Sequence, residues 1–209
     1  MSSCTVRSVV PPKSPEHPDV KRAVLDAAID IIRTDGPDQV SMREVARRAG
    51  VSHQAPYHHF TDRSGIFAAI SEEGYRLFTA EFHRTAAGSS DALADLLRAY
   101  VGFALSHQGH FKVMFRADIC GVLTHDATRE AADEAYLALL DLAARVESES
   151  TGAALALPTL LWSQAHGLAT LLIDGPLARK LPPELSVDML VDAVAQLASR
   201  QIMALTQPQ

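Results

Sequence analysis

Cysteine is almost missing from this chain. Only Cys4 and Cys120 occur among 209 residues, too few and too far apart for a disulfide-built scaffold or for the paired spacing of a structural zinc site. Long hydrophobic runs are missing as well. Nothing approaches the roughly 18 uninterrupted apolar residues of a membrane span, and the opening MSSCTVRSVVPPKSPEHP has no apolar secretory core. These absences predict a soluble, cytoplasmic protein with no membrane partner. Period-2 alternation and internal repeats are also lacking, which leaves helical periodicity as the dominant signal and an all-α fold as the expectation. Catalytic signatures are absent too: no Glu-x-x-His pair of a di-iron bundle, no His-Glu-x-x-His and no Gly-x-Ser-x-Gly. His107 and His110 flank Gly109 with no obvious further ligand. The sequence is expected to be no enzyme and to hold neither metal nor cofactor.

What the chain has is 47% apolar residues, enough at this length to bury a small core and a larger one. Its net charge of −6 argues on its face against nucleic acid, but the charge is unevenly spread. Residues 41–65 hold Arg43, Arg47, Arg48 and Arg63 against Glu44 and Asp62, with His53, His58 and His59 interleaved. From 66 to 209, ten Lys and Arg stand against seventeen Asp and Glu. A basic segment on an acidic body confines phosphate attraction to one face.

Along the chain, Pro11, Pro12, Pro15 and Pro18 make residues 1–17 a flexible arm. Val20, Val24, Ala27, Ala28, Ile31 and Ile32 then recur at helical spacing until Asp35-Gly36-Pro37 stops the helix. Ser41-Met42-Arg43-Glu44 reads as a capping box opening a short helix that ends at Ala49-Gly50, and Ser52 is the N-cap candidate for another. Asp62 caps a longer helix with Ile66, Phe67, Ile70, Leu77, Phe78 and Phe82 on one stripe, ending near Gly88. Further helices are predicted at roughly 91–107, 110–118, 126–149, 157–174 and 186–205, with Pro158 in a first turn and Asp174-Gly175-Pro176 as a stop. The architecture predicted is a small three-helix domain over 18–65, followed by a larger helical bundle over 66–209.

The stretch SMREVARRAGVSHQAPYHHF carries the sharpest signal. Val45, Ala46 and Ala49 face inward, small Ala46 lets a second helix cross closely, and Gly50 supplies the turn, which is the layout of a helix-turn-helix. The second helix, starting at Ser52, would present His53, Gln54 and Tyr57 to a major groove. Gln54 can pair with adenine, His53 can reach base edges or phosphate, and Tyr57 and His59 can donate to phosphate oxygens. Ser41 and Arg63 lie at helix starts, where a phosphate is favoured. The competing reading is a plain packing element with surface histidines.

From about Val20 to Phe67 the chain resembles the DNA-binding domain of the tetracycline-repressor (TetR) family. The pattern T/S-x-R-x-I-A-x-x-A-G-V-S followed by Y-x-H-F is met by Ser41, Arg43, Val45, Ala46, Ala49, Gly50, Val51, Ser52, Tyr57, His59 and Phe60. The resemblance implies that Ser41, Arg43, Tyr57, His59 and Arg63 anchor the DNA backbone and that early recognition-helix positions read bases. Pro56 departs from the family's usual Leu. Its missing N–H is only marginally intrahelical at that position, so the helix should tolerate it with an altered tilt.

Trp162-Ser163-Gln164-Ala165-His166-Gly167 reads as W-x-x-x-H-G and is similar to the signature of one TetR subgroup, the WHG domain. Trp162 and His166 share a helical face, and Gly167 would let a neighbouring helix approach. Both side chains fit a packed core as well as a ligand contact. Phe103, Phe111, Met114, Phe115 and Tyr136 form a belt on three predicted helices that is core by default, yet with Tyr136, Trp162 and His166 it could line a pocket. The implied partners are a pseudo-palindromic double-stranded operator, a largely apolar small-molecule effector, and a second copy of the chain. That homodimer would form through the helices at 157–174 and 186–205, using Leu160, Leu161, Leu168 and Leu171 with Leu190, Val194, Leu197, Gln201 and Ile202. Two rivals are a helical-bundle enzyme and an interaction module that no longer binds DNA.

Overall fold

A computed structural model describes residues 19–86, 91–146 and 155–206, and contains no strand among them. The expected arm at 1–17, the helix end near Gly88 and the end at 149 lie outside the described residues. Eight α-helices follow one another: α1 Val20–Asp35, α2 Met42–Ala49, α3 Arg63–Ala86, α4 Ala92–Ser106, α5 Gln108–Met114, α6 Asp126–Val146, α7 Ala156–Ile173 and α8 Val187–Thr206.

Local chemistry sets these boundaries. Asp19 caps α1 by accepting from the Arg22 N–H at 3.3 Å, and Gly36, at φ +91°, closes it by returning its N–H to the Ile31 carbonyl. Ser41 caps α2 by accepting from the Glu44 N–H at 3.2 Å. Only half of the capping box forms, because the Glu44 carboxylate goes to Arg47 and Arg48 instead. Gly50 takes the left-handed conformation at φ +67° that ends the helix. Asp62 opens α3 by accepting from the Gly65 N–H at 3.0 Å.

The second helix of the motif is not an α-helix. Residues Ala55–His58 form a 3-10 turn, and Pro56 explains it. An α-helix capped by Ser52 would close its first bond from the amide of residue 56 to the Ser52 carbonyl, and proline has no such amide. The Ser52 carbonyl accepts from Ala55 instead, at 3.0 Å, and the tighter winding continues from Tyr57 to Gln54 and from His59 to Pro56, both at 3.1 Å.

The helix expected at 110–118 begins at Gln108 and stops at Met114. It follows α4 after one residue, His107, which donates to Phe103 and accepts from Phe111. Residues 116–125 then turn, with Gly121 at φ +78°.

Two hydrophobic clusters organise the chain. One gathers α1, Val40, Met42, Val45 and Phe60 with Ile66, Phe67 and Ile70 of α3, and reaches Val113 of α5. The other joins the remainder of α3 to α4 through α8. Helix α5 belongs to both, and two glycines let it lie close. A Cβ on Gly109 would stand 2.6 Å from the Ile29 carbonyl of α1, and one on Gly74 of α3 would meet the His110 Cβ at 3.1 Å.

Candidate functional site

Helix α2 and the 3-10 turn share one exposed surface. Buried Pro56 and Phe60 pin the turn to the core, and Ser52, His53, Gln54, Tyr57, His58 and His59 are exposed around them. Tyr57 is 52% exposed although it is a large apolar ring. Arg43 is exposed and makes no ion pair among the described residues, unlike its neighbours on α2. Arg47 forks onto Glu44 at 2.8 and 2.6 Å. Arg48 reaches Glu44, Asp30 and Asp35, tying α2 to α1. Hydrogen bonds from Arg47 and then Arg48 hold the Glu44 carboxyl down at about 2. The basic surplus in the sequence is therefore partly consumed within the fold. Arg63 donates to the Pro37 carbonyl at 2.8 Å and lies over the Phe67 ring at 4.8 Å, so it fastens the start of α3 to the loop after α1.

Between α3, α4, α6 and α7 lies an apolar cavity of about 160 Å³. Of the residues expected to line it, Phe115, Tyr136 and Trp162 do. A second, more open hollow of about 440 Å³ shares Tyr75, Phe115 and Trp162 as walls and adds Met114, Cys120, Ser163 and His166. Phe103 and Phe111 line neither. Phe103 packs on Phe78 with ring centroids 5.0 Å apart, and Phe111 packs on Phe115 and His166. Sequence reasoning missed Tyr75, Phe78, Phe82 and Tyr100 as cavity walls. The first three recur at i, i+3 and i+7 on α3; the sequence reading put Phe78 and Phe82 on an apolar stripe and left Tyr75 out of it.

Three aromatic side chains in this region have paired polar atoms. The Trp162 Nε1–H donates to the Tyr100 hydroxyl oxygen at 3.1 Å, and that hydroxyl lies 2.8 Å from Nδ1 of His166. Tyr75 donates to the Met114 carbonyl. Burial pushes the phenols of Tyr75 and Tyr100 up and pulls His166 down, so all three are neutral near neutral pH. Gly167 has open space where a side chain would be, so no helix among the described residues approaches it closely.

A second polar group sits where α1, α3 and α5 meet. Glu73 accepts from Arg22 at 2.5 Å and lies 3.1 Å from His110 Nε2. Burial pushes Glu73 up, but the hydrogen bonds from Arg22 and His110 outweigh it and hold the carboxyl below its ordinary range. Burial pulls His110 down despite Glu73, which leaves a neutral ring donating from Nε2 and a buried, unpartnered Nδ1.

Among the described residues no three His, Cys, Asp or Glu side chains cluster as metal ligands, and no helix is long and apolar enough to cross a membrane. Residues 24–70 match the family model of bacterial regulatory proteins of the tetR family, and residues 93–194 match that of the tetracyclin repressor-like C-terminal domain, which includes Trp162, His166 and Gly167. The HTH-type transcriptional regulator BetI of Klebsiella pneumoniae (strain 342) is 32% identical over 92 residues, 44% of this chain and 47% of the relative. AcrR of Shigella flexneri, also an HTH-type transcriptional regulator, is 35% identical over 57 residues, 27% of this chain and 26% of the relative. The chain thus spans less than half the length of the curated relatives it matches. A solved structure of a protein with unknown function from Rhodococcus sp. RHA1 superposes with TM-score 0.73 at 27% identity, covering 93% of this chain and all of that one. The fatty acid degradation regulator FadR of Bacillus halodurans shares the fold at TM-score 0.66 and 14% identity, over 88% of this chain and 96% of that one.

Proposed function

The chain belongs to the tetracycline-repressor (TetR) family, and from that premise we propose that it is a ligand-responsive DNA-binding regulator, a repressor that a small molecule releases from a pseudo-palindromic operator. The observation that carries this reading is α3. Its 24 residues run unbroken from Arg63, beside the helix-turn-helix, to Ala86, and carry Phe82 on the cavity wall. Such a helix is about 36 Å long and stiff, so a tilt at the cavity displaces the DNA-facing end. In this reading residues 18–65 hold DNA, with Ser41, Arg43, Tyr57 and His59 on phosphates and Ser52, His53 and Gln54 at base edges. Arg63 serves the same surface by bracing it. Residues 66–209 bind effector and dimerise, and the protein works in the cytoplasm beside its DNA.

Dimerisation through α7 and α8 is supported by what those helices leave uncovered. Leu160, Leu171, Leu197 and Met203 are 40%, 47%, 60% and 46% exposed, and the bare backbone at Gly167 lies on the same outward side of α7 as Leu160 and Leu171. Leu161, Leu168 and Ile202, expected in that interface, are instead buried in the chain's own core, and Leu190 and Val194, packed against it, keep partial exposure. A symmetric dimer places two recognition segments about 34 Å apart on one DNA face. Selection of bound duplexes from a random pool, followed by footprinting, tests the proposal. Two protected half-sites related by a dyad and an affinity that falls steeply with salt are expected. Protection without two-fold symmetry, or binding indifferent to salt, would contradict it.

A further inference from the structure

Four aromatic residues with polar handles line the inner cavity, and three of those handles are already engaged. Tyr75 gives its proton to the Met114 carbonyl, and Trp162 gives its N–H to the Tyr100 oxygen. Tyr100 has a single proton, and His166 Nδ1 stands 2.8 Å away to receive it. Tyr136, 41% exposed, is the one whose hydroxyl has no partner among the described residues. The inner cavity therefore offers a ligand hydrocarbon surface and little else.

The same relay fixes His166. Either tautomer fits a 2.8 Å contact; we assign the Tyr100 proton to Nδ1, because the Tyr100 oxygen already accepts from Trp162, and that puts the ring's own proton on Nε2, which has no partner among the described residues. Phe111 and Phe115 hold the ring from two sides, with centroids 5.2 and 5.0 Å away. His166 lines the outer hollow, while Tyr75, Phe115 and Trp162 are walls of both. An N–H donor thus lines the more open hollow, which shares three walls with the apolar chamber. Neither lining contains Asp, Glu, Lys or Arg.

Resting on the reading of this cavity as the effector site, we propose that the effector is an uncharged molecule whose apolar body fills the inner chamber and whose single hydrogen-bond acceptor is held by the Nε2–H of His166. An anion would be desolvated with no counter-charge, and so would a cation, whose attraction to the rings does not replace a carboxylate. A carbonyl or ester oxygen satisfies the donor at no such cost. An inner chamber of about 160 Å³ is close to an engineered cavity of about 150 Å³ that takes benzene, so one aromatic ring is a fitting probe.

The test uses four probes with one ring in common: methyl benzoate, benzoate, benzyltrimethylammonium and propylbenzene. Each is titrated calorimetrically against the full chain, with the emission of Trp162, the only tryptophan, as a local reporter. Methyl benzoate should bind at least about tenfold more tightly than either ion, a difference of at least 1.4 kcal/mol. His166→Phe should weaken methyl benzoate by about tenfold, as one buried hydrogen bond warrants, and leave propylbenzene within about twofold. Tyr100→Phe, which breaks the relay but keeps the ring, should weaken the ester by severalfold and spare propylbenzene. Tighter binding of either ion, or equal losses for ester and hydrocarbon in both variants, would overturn the proposal. If none of the four binds, the reading of the cavity as an effector site fails along with it.

Discussion

Arg43, Arg47 and Arg48 look alike in the sequence and do different things in the fold. Arg48 joins α2 to Asp30 and Asp35 of α1, Arg47 is held by Glu44, and Arg43 is the one left without an ion pair among the described residues. Arg43→Ala should therefore weaken binding to every DNA sequence alike and lower the salt slope by about 1, as loss of one phosphate contact does. Arg48→Ala should lower the thermal midpoint, because it unties two helices. Mobility shifts at several salt concentrations and thermal scans separate the two, and an unchanged salt slope in Arg43→Ala would refute its assignment. Gln54→Ala should instead relax base preference by about 1–3 kcal/mol at one position, read by comparing operator variants. An equal loss on all of them would remove Gln54 from base readout.

At the scale of elements, Pro56, Gly109 in α5 and Gly74 facing it from α3 decide most. Pro56→Leu restores the amide that an α-helix needs, so residues 52–59 should rewind from 3-10 toward α, with the amide of residue 56 protected from exchange and the operator preference altered. An unprotected amide in that variant would show that packing rather than proline sets the winding. Gly109→Ala would force a Cβ into the Ile29 backbone, which cannot move aside as a side chain could. It should cost about 1–3 kcal/mol, measured by denaturant unfolding, and a neutral result would mean that α5 and α1 are not tightly apposed. The element order was legible because caps and stops are local: Asp19, Ser41, Asp62, Gly36 and Gly50 each act on bonds within a few residues. The winding at Ala55–His58 was misjudged because one missing amide was weighed as a change of tilt rather than as a lost closing bond.

Over the whole molecule, coupling and protonation make the predictions. If α3 transmits effector binding, linkage requires that operator DNA weaken the effector by the same factor that effector weakens DNA, about five- to a hundredfold for 1–3 kcal/mol of coupling. Titrations with and without operator check this, and equal affinities would leave α3 a passive strut. Burial holds the pKa of both His110 and His166 below their ordinary value. The unfolded chain then takes up protons near pH 6.5 that the folded chain refuses, so stability is complete above that pH and falls as pH drops through it. Glu73, held below its ordinary range by Arg22 and His110, adds a further loss once pH falls through the carboxylate range. Thermal midpoints should stay level from pH 8 to about pH 7 and decline from there to pH 5, and a rise over that lower span would contradict the burial argument.

The sequence by itself determined the all-α class, the order of the helices and the outward face of the helix-turn-helix, because periodicity, caps and glycine stops act through neighbours along the chain. It also named Phe115, Tyr136 and Trp162, which line the cavity. Tyr75 and Tyr100 came only with the fold, as did the place of the stripe residues Phe78 and Phe82 on the cavity wall, since whether an aromatic faces a void or a neighbour depends on the helix packed opposite. The same holds for charge and hydrogen bonding. Arg48 and Arg63 are basic in any sequence count, but only the packing of α1 against α2 and α3 turns them into internal ties. That Trp162, Tyr100 and His166 form one relay was likewise decided by tertiary structure, because 62 residues separate Tyr100 from Trp162 and no local rule spans that distance.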